Sequence, residues 1–382
     1  MRLAFLCSSL AAGRDGVGDY VRRLAAACAA QGHVCRAIAL HDRHLAAGAT
    51  LLEQEGELRL GAGLPWARRT RLLADALARF APDWVSWQVV AYGFHPKGLL
   101  PSGCLRAVET VRPWRSHLML HELWLGLARE DGPRARLLGA WQRRRLLGFV
   151  RALRPAALHT SNGPYQAALA RHGWTAERLP VFGNIPVGPE HRDETPDAPL
   201  LRGRPLVAAF FGTVHPQWRP EAAAALLRRT ATATGRPLTL LAVGRSGVSG
   251  AARLAEVART CPDSVVKVLG PQAPETVSRL LQGADLGLAT HPWALIEKSG
   301  STATLLEHGL PVLVLRDDWH GRAGGGGPAP DPLLGRLADF TPETLAAWLR
   351  QRRPAASRLP AVAARFLAAL GAPTPCAASS FA

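Results

Sequence analysis

Short apolar runs alternate with longer stretches in which apolar residues return every three or four positions. RLAFLCS at the start leads through turn residues into GDYVRRLAAACAAQG, and VCRAIAL follows. DWVSWQVV, SHLMLHE and AALHTSN come later, with helical stretches between them. Strand-like runs separated by amphipathic helices predict βαβ units and a parallel sheet. From Asn184 to Arg204 the rhythm stops, and NIPVGPEHRDETPDAPLLRGR gathers four prolines and four acidic residues. The pattern then restarts with PLVAAFFG, PLTLLAVG, SVVKVLG, DLGLAT and PVLVLR. The expected organisation is an α/β chain of two Rossmann-like, doubly wound domains: residues 1–184, a linker over 185–204, residues 205–352, and a C-terminal helix and tail over 353–382. GRAGGGGPAP (321–330) reads as a flexible loop. In open sheets of this kind anions and nucleotides bind beyond the carboxyl ends of the strands, so function is expected in the strand-end loops facing a cleft between the domains.

A chain of 382 residues suits two cores, and its apolar runs fall short of the ~20 residues that cross a bilayer. The opening MRLAFLCSSLAAG faintly imitates a lipoprotein signal, but its single Arg2 and short apolar stretch suit a buried first strand better. Six cysteines (Cys7, Cys28, Cys35, Cys104, Cys261, Cys376) lie without CxxC spacing, which implies a reduced, cytoplasmic setting. With no Cys/His cluster at zinc spacing, and Asp317-Asp318 reading as loop charge, neither metal nor cofactor is expected. The net charge of +17 changes the picture more, because it calls for a polyanionic partner: nucleic acid, an anionic membrane face or phosphorylated substrates. Residues 132–176 hold no acid, while Arg134, Arg136, Arg143, Arg144, Arg145, Arg151 and Arg154 crowd that segment. It reads either as a solvated basic helix or as a helix laying Trp141, Leu146, Leu147 and Phe149 on an anionic membrane.

Two segments carry candidate chemistry. In ALIEKSGSTATLLEHGLPV, one of only three lysines, Lys298, precedes Ser299-Gly300-Ser301 at a helix start. Unpaired N–H groups and the positive end of a helix favour phosphate, and Lys298 adds a full charge. The alternative is a simple Ser299 cap beside a solvated lysine. GRDGVGDY joins the first strand to the first helix with Gly13, Gly16 and Gly18, in the order G-x-x-G-x-G. That order meets a dinucleotide fingerprint poorly, although Asp42 at the end of the second strand keeps an NAD reading open.

GRDGVGDYVRRLAAACAAQGH together with LLEHGLPVLVL resembles the GT-B glycosyltransferases, in particular their family-4-like group. The likeness covers roughly residues 1–316. It implies that a sugar nucleotide lies mainly against the C-terminal domain, that the acceptor docks in the N-terminal domain, and that the anomeric configuration is retained. By position, Gly16 and Gly18 match the loop facing the donor phosphates, and His121 in LMLHELW matches a histidine near the transferred sugar; a plain strand-end histidine is the alternative. In FFGTVHPQWRPE, Thr213 stands where the family has an arginine on the diphosphate, and Arg219 is the candidate for its lysine, a surface charge being the alternative. The family's E-x7-E pair is also altered: Thr304 occupies the second position and Glu297 lies one residue from the first. Glu297 is then the candidate for sugar hydroxyls, Glu307 for ribose, and Lys298, Ser299, Gly300 and Ser301 for phosphate. Tyr92, His95 and Lys97 on the loop WQVVAYGFHPKGLL, with Glu122, are acceptor-side candidates.

The reading is a retaining, metal-independent glycosyltransferase acting in glycan or glycoconjugate synthesis. Its partners would be a sugar nucleotide and an anionic membrane or lipid-linked acceptor, without nucleic acid, and its place the cytoplasm or the inner face of the membrane. A catalytically silent, glycosyltransferase-like binding subunit is the rival, motivated by the missing second glutamate.

Overall fold

The computed structural model describes residues 1–45, 50–54, 56–189 and 205–371. From residue 190 on, the expected linker lies outside the described residues, as does the tail after Gly371. The chain forms two compact units. One holds Met1–Pro180, Gly321–Gly325 and the segment from Leu359 on; the other holds Val181–His320 and Gly326–Arg358.

The first unit runs β1 (Arg2–Cys7), α1 (Gly16–Ala29), β2 (Val34–Asp42), β3 (Leu51–Gln54), β4 (Glu57–Gly61), α2 (Trp66–Phe80), β5 (Trp84–Val89) and α3 (Ala91–Phe94). It continues with α4 (Ser102–Val111), β6 (Arg115–Leu120), α5 (Pro133–Leu153), β7 (Ala157–Thr160), α6 (Gly163–Ala170) and β8 (Glu177–Arg178). Among the described residues these strands form one sheet in the order β3-β4-β2-β1-β5-β6-β7-β8. Only β3 runs antiparallel to its neighbour. Leu3 to Cys7 are all buried, as expected of a central parallel strand covered by helices on both faces. The order reverses between β1 and β5, which makes their carboxyl ends the switch point of this sheet.

The second unit runs β9 (Leu206–Phe211), α7 (Glu221–Thr234), β10 (Leu238–Val243), α8 (Gly247–Thr260), β11 (Val265–Gly270), α9 (Pro274–Gly283) and β12 (Leu286–Pro292). A 3-10 turn (Trp293–Lys298) leads into α10 (Gly300–Glu307), β13 (Val312–Arg316), β14 (Leu334–Arg336) and α11 (Pro342–Trp348). Among the described residues its sheet has the parallel order β11-β10-β9-β12-β13-β14, with the switch point between β9 and β12. Alternate residues of β9 feed two apolar layers, Leu206, Ala208 and Phe210 on one face and Val207 and Ala209 on the other.

α12 (Leu359–Ala369) belongs to the first unit. Phe366 is fully buried there, 5.7 Å from the Phe5 ring and edge-on to His117 at 5.0 Å. The glycine-rich run is not the free loop its composition suggests. Arg322 donates its N–H to Leu127 O and its Nε to Ala128 O, both at 2.8 Å, and Gly325 lies so close to Gly163 that a Cβ would sit 2.5 Å from backbone.

Candidate functional site

In the second unit the switch point gathers positive charge. Pro292 at the end of β12 pairs in register with Arg316 at the end of β13. His215, after β9, donates its N–H to Thr290 Oγ1 at 2.9 Å, and its ring lies 6.5 Å from that of His291. Burial, then Lys298, His215 and Arg316, push the His291 imidazole down to about 4, so it stays neutral at pH 7. His215 is lowered by burial and by the same Arg316 and Lys298. Two cationic side chains therefore act on one small region.

The start of α10 adds donors to it. Ser299 is the N-cap, its Oγ accepting from Thr302 N at 3.2 Å. Among the described residues the N–H groups of Gly300 and Ser301 have no partner, as first-turn donors do not within a helix. Gly212, with φ of +76°, passes beneath: a Cβ there would come within 2.8 Å of Ser301 Oγ. Thr213, Thr290, His291, Ser301 and Thr302 help line a small cavity between the loop and the helix. Thr302 Oγ1 and Arg316 Nη1 are both buried without a hydrogen-bond partner. Buried donors left unpaired are rare in folded proteins and point to a missing acceptor.

The structure is less kind to the glutamates. Glu307 is fully buried, with its carboxylate accepting from Gly183 N at 2.9 Å and its carbonyl from Ala356 N at 2.7 Å. Thr304, also fully buried, receives Asn184 N at 3.1 Å. This face of α10 is packed against the 183–184 backbone, so the ribose contact expected of Glu307 is replaced by a fold-holding one. Glu297 is half-buried and accepts from Ala329 N at 3.1 Å. Arg219 is exposed, with no bond to the α10 start among the described residues; the buried cation here is Arg316, whose Nη2 donates to Asp318 Oδ2 at 2.9 Å and to Gln217 Oε1 at 3.0 Å.

In the first unit, Asp15 caps α1 and its carboxylate takes the N–H groups of Val17 and Gly18 at 3.0 and 2.9 Å. The donor that Gly18 was expected to turn towards phosphate is thus occupied by an acid, whereas the Gly16 N–H is not taken by Asp15. Gly18 serves close packing instead, since a Cβ would lie 2.5 Å from Ser9 O. Asp42 is buried among Ser9 Oγ, Leu10 N, His44 N and Arg59 Nε, the last at 2.7 Å. So enclosed, it offers nothing to a ribose, which removes the support for an NAD reading.

His121 follows β6, its N–H on Val89 O at 3.1 Å and its ring edge-on to Tyr20 of α1 at 4.9 Å. Burial lowers the imidazole to about 4, with Glu122 acting the other way. His121 Nε2 meets Gln88 Oε1 at 2.9 Å, and Gln88 Nε2 donates to Ser86 Oγ at 2.8 Å. Ser86 Oγ in turn meets His117 Nδ1 at 2.8 Å, and His117 Nε2 meets His159 Nδ1 at 2.9 Å. His159 Nε2 lies 3.8 Å from the Glu177 carboxylate. Side chains two apart on a strand share a face, which is why these residues of β5, β6, β7 and β8 line up.

The acceptor-side candidates are brought together by a residue the sequence did not single out. Gln142 Nε2, from the buried face of α5, donates to Tyr92 Oη at 2.9 Å and to Lys97 O at 2.8 Å. His95 Nδ1 accepts from Lys97 N at 3.1 Å. On α5 the expected membrane face is corrected. Leu146, Leu147 and Phe149 are core residues, whereas Trp141 (64% exposed) is joined by Leu137 (67%), with Arg134, Arg144 and Arg145 exposed on the same helix. Among the described residues, no helix is long and apolar enough to cross a membrane.

No protein-family model and no curated relative matches the chain. Solved structures do. HepE of Anabaena, in complex with UDP and glucose, is 18% identical with a TM-score of 0.52, covering 96% of this chain and 95% of its own. A sucrose-phosphate synthase from Thermosynechococcus elongatus is 15% identical with a TM-score of 0.57, covering 97% and 95%. A putative UDP-N-acetylglucosamine 2-epimerase from Listeria monocytogenes is 12% identical with a TM-score of 0.54, again over 97% and 95%. The chain thus has the GT-B fold expected from its sequence.

Proposed function

We propose that this GT-B chain is a glycosyltransferase that moves a sugar from a nucleotide-sugar donor to an acceptor, with retained configuration and without a metal. The observation that carries the reading is the second unit's switch point. There Lys298, Arg316, two open N–H groups of α10 and the unpartnered Thr302 hydroxyl supply donors and positive charge, and neutral His291 lies beside them. Such a site suits a diphosphate, whose charge grows as it leaves the sugar; fixed donors in a partly dry setting then lower the barrier. Lys298, Ser299, Gly300 and Ser301 hold the phosphates and Glu297 a sugar hydroxyl, while Glu307 drops out. In the first unit His121 faces the reacting sugar. Tyr92, His95, Lys97 and Glu122 serve the acceptor. The solved structures of HepE with UDP and glucose support the choice of donor class. Leu137 and Trp141, ringed by arginines, suit peripheral docking on anionic lipid and thus a lipid-linked acceptor.

A thermal-shift and calorimetry series with UDP, GDP and their sugars, with EDTA present, tests the reading. Binding of a nucleoside diphosphate in EDTA supports it; no binding of any sugar nucleotide sinks it. The silent binding subunit is favoured by Thr304 and Glu307 both being turned to packing. Sugar transfer or donor hydrolysis by the purified chain rejects that alternative.

A further inference from the structure

The line of groups from His121 to Glu177 runs from a strand end into the body of the first unit and out to its surface. In it His117 is fully buried, Ser86, Gln88 and His159 are each 1% exposed, and the Glu177 side chain is 73% exposed. An apolar core would have filled this space at lower cost, since each buried polar group must find a partner. Every link is a hydrogen bond of 2.8 or 2.9 Å except the last, at 3.8 Å.

Each neutral imidazole has one donor and one acceptor nitrogen, and a hydroxyl and an amide can each do both. The line therefore has two self-consistent polarities. In one, His121 Nε2–H donates to Gln88 Oε1, Gln88 Nε2 to Ser86, Ser86 to His117 Nδ1, His117 Nε2–H to His159 Nδ1, and His159 Nε2–H turns to Glu177. In the other, the Gln88 amide is turned over so that its NH2 meets His121 and its oxygen Ser86, every bond reverses, and a lone pair on His159 Nε2 confronts the carboxylate. Of the charges facing His159, Glu177 on β8 acts more strongly than Arg365 on α12, which favours the opposite sense. His117 is faced by His159 and His121, and His121 by Glu122.

We propose that the surface carboxylate of Glu177 fixes the tautomer of His121 through His159, His117, Ser86 and Gln88, so that His121 carries its proton on Nε2 and keeps Nδ1 as an acceptor. These are positioning residues, and the role of the acceptor nitrogen rests on the reading of His121 as a residue near the transferred sugar. There Nδ1 takes a hydrogen bond from a sugar hydroxyl; with the polarity reversed it would instead present an N–H.

Long-range proton–nitrogen NMR of the full chain labelled at histidine tests this directly, because ring nitrogen shifts report tautomers whether or not sugar is transferred. At pH 7.5 His117, His121 and His159 are expected all to be Nε2–H. Glu177→Arg lies at the surface, where the fold tolerates it, and should lower the Nε2–H to Nδ1–H ratio at His121 by roughly tenfold, reversal of an exposed charge doubling its effect. In a Ser86→Ala background the same change should leave His121 unmoved, because the line is cut. An Nδ1–H tautomer at any of the three in the wild type, or a His121 spectrum untouched by Glu177→Arg, overturns the proposal. A correct tautomer pattern in a chain that transfers no sugar would count against the proposed function alone.

Discussion

Acidification should weaken the first unit by an amount that its buried imidazoles set. His121 and His159 are each held down from the ordinary 6.5 to about 4 by burial, and His117 is lowered in the same sense. Between those values the unfolded chain takes up protons that the folded one refuses, so stability is intact above about pH 6.5 and falls as pH drops towards 4. pH 5 lies about 1.5 units below the unfolded value of each group, which at ~1.4 kcal/mol per unit is about 2 kcal/mol. His121 and His159 together then remove about 4 kcal/mol from a fold whose total stability is on the order of 5–15 kcal/mol. Urea unfolding followed by hydrogen exchange at the β5 and β6 amides, at pH 7.5, 6.0 and 5.0, reads this unit separately from the other. The exchange free energy should fall steeply below pH 6.5, and direct titration of the two rings should give values near 4. A flat or rising profile between pH 7.5 and 5.0 would refute the reasoning, since it would mean that both imidazoles charge freely inside the fold.

Replacing Lys298 by alanine removes a charge-assisted contact worth ~1.5–3 kcal/mol, so UDP binding by calorimetry should weaken about ten- to a hundred-fold; an unchanged Kd removes Lys298 from the site. Leu137→Ser with Trp141→Ser should abolish co-sedimentation with phosphatidylglycerol vesicles, while Leu146 and Phe149, being core residues, should affect folding instead. If binding to such vesicles shows no dependence on anionic lipid in the wild type, the membrane reading fails. The product made from a donor of known configuration should keep that configuration by NMR of the anomeric linkage, and His121→Ala should lose activity; an inverted product contradicts a retaining mechanism.

The two-sheet organisation was legible because parallel strands covered on both faces read as unbroken apolar runs, as LVAAFF and LTLLAV do. Lys298 and the small residues after it stood out as candidates because a lysine is scarce here and a helix start has a recognisable chemistry. Arg316 was not, since it reads as the polar end of PVLVLR until β12 and β13 are set in register. Glu307 misled because helical spacing tells which residues share a face and not what that face meets; Gly183 lies 124 residues away in sequence. Asp15 was passed over among glycines, although an aspartate three residues before Gly18 is an ordinary cap. The line from His121 to Glu177 left no local trace, its His117–Ser86 and His117–His159 links joining residues 31 and 42 apart.

The return of α12 to the first unit bears on how the chain is made. Phe5 leaves the ribosome long before its partner Phe366 does. Residues 181–320 and 326–358 can collapse on themselves beforehand, whereas the earlier-made sheet waits with Phe5 and His117 uncovered. At synthesis rates of roughly 5–20 residues per second, that wait lasts on the order of tens of seconds. Domains usually fold in the order they emerge; here the one begun first is completed last. A chain released before residue 359 would carry an open apolar face on its N-terminal half, a mark by which chaperones and proteases can tell an unfinished product from a finished one.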